Sequence, residues 1–169
     1  MTLRVMDIIE GTTVDGPGLR TSIYLAGCAH QCLGCHNPES WPINAGHDMD
    51  EDDIMATIRY NGFGVTLSGG DPLFQPQAAA HLAKRIKQEL SLDIWCYTGY
   101  RWEQICQNPT FLPLLRHIDV LVDSPFILAQ RDTSLRFRGS RNQRIIQVQQ
   151  SLQQGHIIDI TDKYEQHLY

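Results

Sequence analysis

Three cysteines, Cys28, Cys32 and Cys35, fall within eight residues of a 169-residue chain, in the stretch "LAGCAHQCLGCHNPES". Spacings of four and three could place three thiols on one face of a helix. Gly27, Gly34 and Pro38 make a helix there a poor choice. Zinc accepts three cysteines and a histidine, and His30 and His36 are close by. Structural zinc sites, however, usually pair two short knuckles, and the chain has no second CxxC-like pair. The remaining chemistry is a [4Fe–4S] cluster, normally held by four thiolates and here by three, with one iron left open.

The positioning elements follow from periodicity. "RTSIYLAG" (20–27) predicts a strand leading into the cysteines. "MDEDDIMATIRY" predicts a helix capped by Asp50, with acids in its first turn and Ile54, Met55 and Ile58 on one face. "GVTLSGG" (64–70) is a short buried strand ending in glycines, and 76–90 is a helix with Ala79, Leu82, Ala83, Ile86 and Leu90 on one side. Strands are expected over 92–100 and 118–126, separated by a helical "RWEQICQ". Cys96 and Cys106 fall in a strand and a helix and suit buried packing.

Alternating strands and helices build parallel units. A complete eight-fold barrel needs about 250 residues, so the expected architecture is α/β: an open, partial (βα) barrel with a mostly parallel sheet. One domain spans 1–169, with a peripheral tail from about residue 155. The cysteine loop, "SGGDP", "YTGY" and "DSPF" each fall at the C-terminal end of a predicted strand. In a parallel sheet those ends share one rim, where ligands bind.

Apolar residues make up 42% and charged residues 20% of the chain, ordinary for a globular protein. No apolar run approaches the roughly 20 residues that span a bilayer. Asp7 and Glu10 stand where a signal peptide needs an apolar core, so no export is expected. Five cysteines, an odd number, speak for metal or redox chemistry in a reducing cytoplasm. A net charge of −5 argues against nucleic acid as partner. Five arginines do cluster in "RDTSLRFRGSRNQR" (131–144), either as a solvated face or as a patch for a carboxylate ligand or acidic partner.

CxxxCxxC resembles the signature of the radical S-adenosylmethionine (SAM) enzymes. The longer run "DGPGLRTSIYLAGCAHQCLGCHN" (15–37) resembles that of the glycyl-radical-enzyme activases. With "SGGDPL", "WCYTGY", "DVLVDSPF" and "FRGSRNQR" the likeness is to the branch acting on anaerobic ribonucleoside-triphosphate reductase, and it runs from about Asp7 to Arg144. The sequence departs from many radical SAM loops in having Gly34 where an aromatic residue precedes the third cysteine. His36 follows that cysteine, where activases carry tyrosine or histidine.

The resemblance implies that Cys28, Cys32 and Cys35 hold three irons and that the methionyl end of SAM chelates the fourth. It implies reductive cleavage of SAM, with the 5′-deoxyadenosyl radical taking a hydrogen atom from a glycine of the reductase. Gly69 and Gly70 would let backbone carbonyls approach the SAM ammonium. Asp71 would accept from that ammonium, or else cap the following turn ahead of Pro72. Ser68 is a candidate for the methionyl carboxylate and Thr98 for the ribose or the methionyl region, and Gly34, Cys35 and His36 flank the adenine side. Arg20 is placed near the cluster; Asp123 either serves the site or ends its strand. An external electron donor such as flavodoxin is implied, and a homodimer is compatible. Two other functions fit parts of the pattern: a small radical SAM enzyme acting on a small molecule, such as a deazaguanine synthase, and a zinc-stabilised interaction module.

Overall fold

A computed structural model describes residues 1–165. Seven strands form one open sheet: β1 (Thr2–Thr12), β2 (Arg20–Leu25), β3 (His47–Asp50), β4 (Gly64–Gly69), β5 (Ile94–Tyr97), β6 (Val120–Asp123) and β7 (Arg144–Gln147). Their spatial order is β3-β1-β2-β4-β5-β6-β7. Neighbours from β2 to β6 are parallel. Strand β1 is antiparallel to both β2 and β3, and β7 is antiparallel to β6, so β1 and β7 alone run against the rest. The mostly parallel α/β sheet read from the sequence is present, and it is not closed.

Helices α1 (Glu51–Asn61), α2 (Pro76–Leu90), α3 (Trp102–Cys106) and α4 (Leu112–Leu115) lie in the connections between the parallel strands, and α5 (Val148–Gln154) follows β7. Helix α1 starts where Asp50 accepts the N–H of Asp52, and stops at Gly62 in a left-handed conformation. It buries Ile54, Met55 and Ile58, while α2 buries Ala79, Leu82, Ala83 and Ile86. These faces pack on Leu3, Val5, Ile23, Leu25, Val65, Leu67, Ile94 and Cys96 of the sheet. Alternation along the strands then turns Arg20, Ser22 and Tyr24, Thr66 and Ser68, and Trp95 and Tyr97 to the other face. That face carries hydroxyls and aromatic rings on β2, β4 and β5, with Val120, Val122 and Ile145 packed beside Trp95 towards its far edge.

One expectation needs correction. Arg20 begins β2, at the opposite end of the strand from the cysteines, and is 2% exposed. It donates to Thr66 Oγ1 and Val65 O, both at 2.8 Å, and pairs with Asp93 at 2.9 Å. Its work is to tie strands together beneath the site. The segment from 156 to 165 docks along the edge strand β7: Ile160 N–H donates to Ile145 O at 2.8 Å, and Tyr164 packs against Trp95. Residues 166–169 of the expected tail lie outside the described residues. No helix among the described residues is long and apolar enough to cross a membrane.

Candidate functional site

Strands β2, β4, β5 and β6 point the same way, so the loops after Leu25, Gly69, Tyr97 and Asp123 meet on one rim. A cavity of about 540 Å³ opens there, within the size range of small-molecule sites. Cys28, Cys32 and Cys35 line it, together with His36, residues 68–71 and Thr98. Of the residues expected to hold the cluster or SAM, Gly34 alone is not on its wall. Gly34 has φ +78°, and a Cβ there would meet Leu128 Cδ1 at 2.8 Å. Leu128 thus occupies the space that a side chain at 34 would need.

Backbone hydrogen bonds shape the cysteine loop. Gly27 N–H donates to Ser40 O at 2.7 Å, Cys28 N–H to Trp41 O at 3.0 Å, and Cys35 N–H to Cys32 O at 3.1 Å. The next strand's loop is fitted against it. A Cβ on Gly70 would lie 2.4 Å from Gly27 O and 3.1 Å from Ser40 O. One on Gly69, at φ +108°, would lie 2.2 Å from Leu25 N. Both glycines therefore answer first to the close approach of two backbones.

Asp71 is 1% exposed and its carboxylate is fully engaged. It accepts from Leu73 N–H at 2.9 Å, from Thr98 Oγ1 at 2.9 Å, from Gly99 N–H at 2.9 Å and from His30 Nε2 at 2.8 Å. The capping geometry weighed for this residue is present, starting the 3-10 turn Pro72–Phe74. Beyond capping, Asp71 joins three loops, an arrangement its local sequence does not announce. Thr98 is 5% exposed and its hydroxyl also accepts Tyr100 N–H at 3.1 Å. Asp123 is wholly buried; it accepts from Trp102 N–H at 2.8 Å and pairs with Arg144 at 2.5 Å. Both Asp123 and the last arginine of the basic run are thus committed to structure.

Sequence reasoning missed several wall residues. Tyr24 and Tyr97 line the cavity beside Asp15, and the Tyr24 hydroxyl donates to the Asp15 carboxylate. Burial, then that hydrogen bond, pushes the Tyr24 phenol well above its ordinary range, and burial does the same to Tyr97. Both hydroxyls stay protonated at neutral pH. Their signal was in the sequence: each alternates with core positions, Ile23 and Leu25 or Cys96, so each must face away from the helices. His36 packs on Phe126 with ring centroids 5.6 Å apart.

The donor set suits an iron–sulfur cube. All three cysteines are free thiols, each partly exposed to the same cavity. Burial pushes the Cys28 thiol up, and bound iron reverses that by holding the thiolate. His30, a candidate zinc ligand, already gives Nε2 to Asp71.

Comparison with known proteins agrees. A family profile described as "4Fe-4S single cluster domain" matches residues 14–146. The anaerobic ribonucleoside-triphosphate reductase-activating protein of Vibrio cholerae is 41% identical over 141 residues, covering 78% of this chain and 90% of the relative. The protein of that name from Escherichia coli K12 is 39% identical over 140 residues, 77% of this chain and 89% of its own. The one from bacteriophage T4 is 34% identical over 139 residues, 78% and 86% of the two chains.

Proposed function

The chain belongs to the 4Fe-4S single-cluster family and, within it, to the anaerobic ribonucleoside-triphosphate reductase-activating proteins; from that premise we propose that it installs a glycyl radical on such a reductase. The observation that carries the reading is the set of three free thiols on one cavity wall, at the rim shared by four parallel strands. Cys28, Cys32 and Cys35 would hold three irons of a [4Fe–4S] cluster, leaving the fourth open to SAM. When bound, cluster and SAM would supply the one-electron reductive chemistry that leads to removal of a hydrogen atom from the partner's glycine Cα.

The chain's own residues do the rest. Ser68, Gly69 and Gly70 present backbone and hydroxyl groups along the SAM side of the cavity. Asp71, through Thr98 and His30, keeps the SAM side and the cluster side in register. His36 with Phe126 forms an aromatic flank on the adenine side. Protonated Tyr24 and Tyr97 wall the cavity without adding charge. The unclosed sheet reads as a partial radical SAM barrel over a single domain, 1–169, whose open side admits the partner's glycine loop. A cytoplasmic setting, flavodoxin as electron donor, and a homodimer complete the reading.

The test is direct. Anaerobically reconstituted protein, given SAM, a reductant and the reductase, produces 5′-deoxyadenosine and an electron paramagnetic resonance doublet on the reductase. Stoichiometric zinc without iron-dependent absorbance, or SAM cleavage indifferent to the reductase, contradicts the proposal.

A further inference from the structure

The segment after Gly155 touches both the sheet edge and the cavity wall. Gln147 N–H donates to Ile158 O at 2.9 Å, and Ile145 N–H to Thr161 Oγ1 at 2.9 Å, which covers the open edge of β7. The chain then enters a 3-10 turn, Thr161–Tyr164. There the Tyr164 ring meets Trp95 and Phe137 edge-on, each at 5.5 Å between centroids. Trp95 and Phe137 are also edge-on at 5.5 Å, so the three rings close a triangle. Edge-to-face contacts of this kind add to the burial of the rings themselves.

Phe137 is a cavity residue, and it holds φ +64°, a conformation that side chains other than glycine rarely adopt. Such a backbone persists only where its surroundings over-determine it. Arg138 follows, with its side chain 4% exposed. Its guanidinium donates to Arg141 O at 3.0 Å and Gln143 O at 2.8 Å, and Gln143 Oε1 accepts Gly139 N–H at 2.8 Å. The carboxylate paired with Arg138 among the described residues is that of Glu165. A buried guanidinium stripped of its carboxylate is strongly disfavoured.

We propose that residues 158–165 form a latch: Tyr164 and Glu165 fix Phe137, Arg138 and Gly139 on the cavity wall, and so set the affinity for SAM. Tyr164 and Glu165 are positioning residues, since neither lines the cavity itself. The latch acts on the wall formed after β6, across the sheet from the cysteine loop after β2. Releasing it therefore loosens the SAM side and leaves the three thiols in place. The proposal rests on the reading that this cavity takes SAM.

The experiment measures SAM binding to reconstituted full-length protein by equilibrium dialysis, alongside iron content, melting temperature and amide exchange at Gly139 and Ser140. Tyr164→Leu and Glu165→Gln should each weaken SAM binding about tenfold, speed exchange at both amides, and leave iron content at the wild-type level. Tyr164→Phe, which keeps the ring, should bind SAM as the wild type does. Should Tyr164→Leu fold poorly, Glu165→Gln decides, because the Glu165 side chain is 45% exposed and its replacement changes little but the pairing. Wild-type affinity and exchange in a folded Glu165→Gln overturn the latch. A wild-type protein with full iron that binds no SAM overturns the underlying reading, and the latch with it.

Discussion

His30 Nε2 lies 2.8 Å from Asp71 Oδ2, joining the loop between the first two cysteines to the loop after β4. An ionised carboxylate only accepts, so Nε2 carries the hydrogen. The imidazole is also clamped sterically. A Cβ on Gly99 would meet the His30 ring at 2.5 Å, and Tyr100 stands edge-on to it at 4.4 Å. Asp71 thereby holds three of the four rim loops through one buried carboxylate. Asp71→Asn turns one acceptor oxygen into a donor that faces other donors. Leaving a buried donor unmatched costs about 1–3 kcal/mol, a fall in melting temperature of several degrees. Reconstituted iron content should fall too, because the cysteine loop loses its tether; wild-type melting and iron would show that Asp71 does not organise the rim.

Gly70→Val sets a branched side chain against Gly27 O and Ser40 O, backbone atoms that a rotamer change cannot move aside. The cysteine loop must shift, so iron incorporation drops along with SAM binding. Gly62→Ala serves as comparison. Gly62 is at φ +68° with open space around it, so the variant should lose about 1 kcal/mol of stability and keep its iron. Iron assays of the two variants separate crowding at the rim from simple backbone strain.

Much of this arrangement was legible before the fold was known, and the failures have physical causes. Helix α1 announced itself by its Asp50 cap, and both α1 and α2 by apolar spacing that matches the faces they bury. Strand β1 did not, because register shifts at Val5/Asp7 and Glu10/Thr12 break its alternation. Strand β3, "HDMD", has no strand-like composition and exists through pairing with β1. The rim motifs were readable because each ends a strand. The hub role of Asp71 was not, since its partners His30, Thr98 and Gly99 come from distant parts of the chain. The latch residues were equally hidden: nothing local to "TDKYE" points to Trp95 or Arg138.

Replacing Cys28, Cys32 or Cys35 singly with Ala should abolish cluster assembly, where the wild type holds about four irons per chain. Cys96 is wholly buried in the core and Cys106 packs partly against it. Cys96→Ala and Cys106→Ala should keep the cluster, with a cavity cost of roughly 1 kcal/mol at Cys96. Iron analysis and visible absorbance after anaerobic reconstitution check all five variants.

His117 supplies a pH dependence that has nothing to do with the cluster. Burial, then the charges of Lys84 and Arg116, hold its imidazole below the ordinary value of 6.5. The folded chain therefore favours the neutral ring, and the unfolded chain takes up the proton more readily. Stability from this site is complete above pH 6.5 and is lost as pH falls through the lower folded value. His117→Gln removes the effect. In chemical denaturation the wild type should lose more stability than this variant between about pH 7 and about pH 5; parallel losses would contradict the assignment.

Hydrogen-atom transfer from a glycine of the reductase to the adenosyl group of SAM is the central claim, and isotope labelling measures it. Reductase deuterated at the Cα of its glycines is mixed anaerobically with the reconstituted protein, SAM and a reductant. The account predicts one deuterium in the 5′-deoxyadenosine released per radical formed. The doublet seen with unlabelled reductase should collapse, because its splitting comes from the remaining α-hydrogen. Unlabelled 5′-deoxyadenosine, formed equally fast with and without the reductase, would contradict the account.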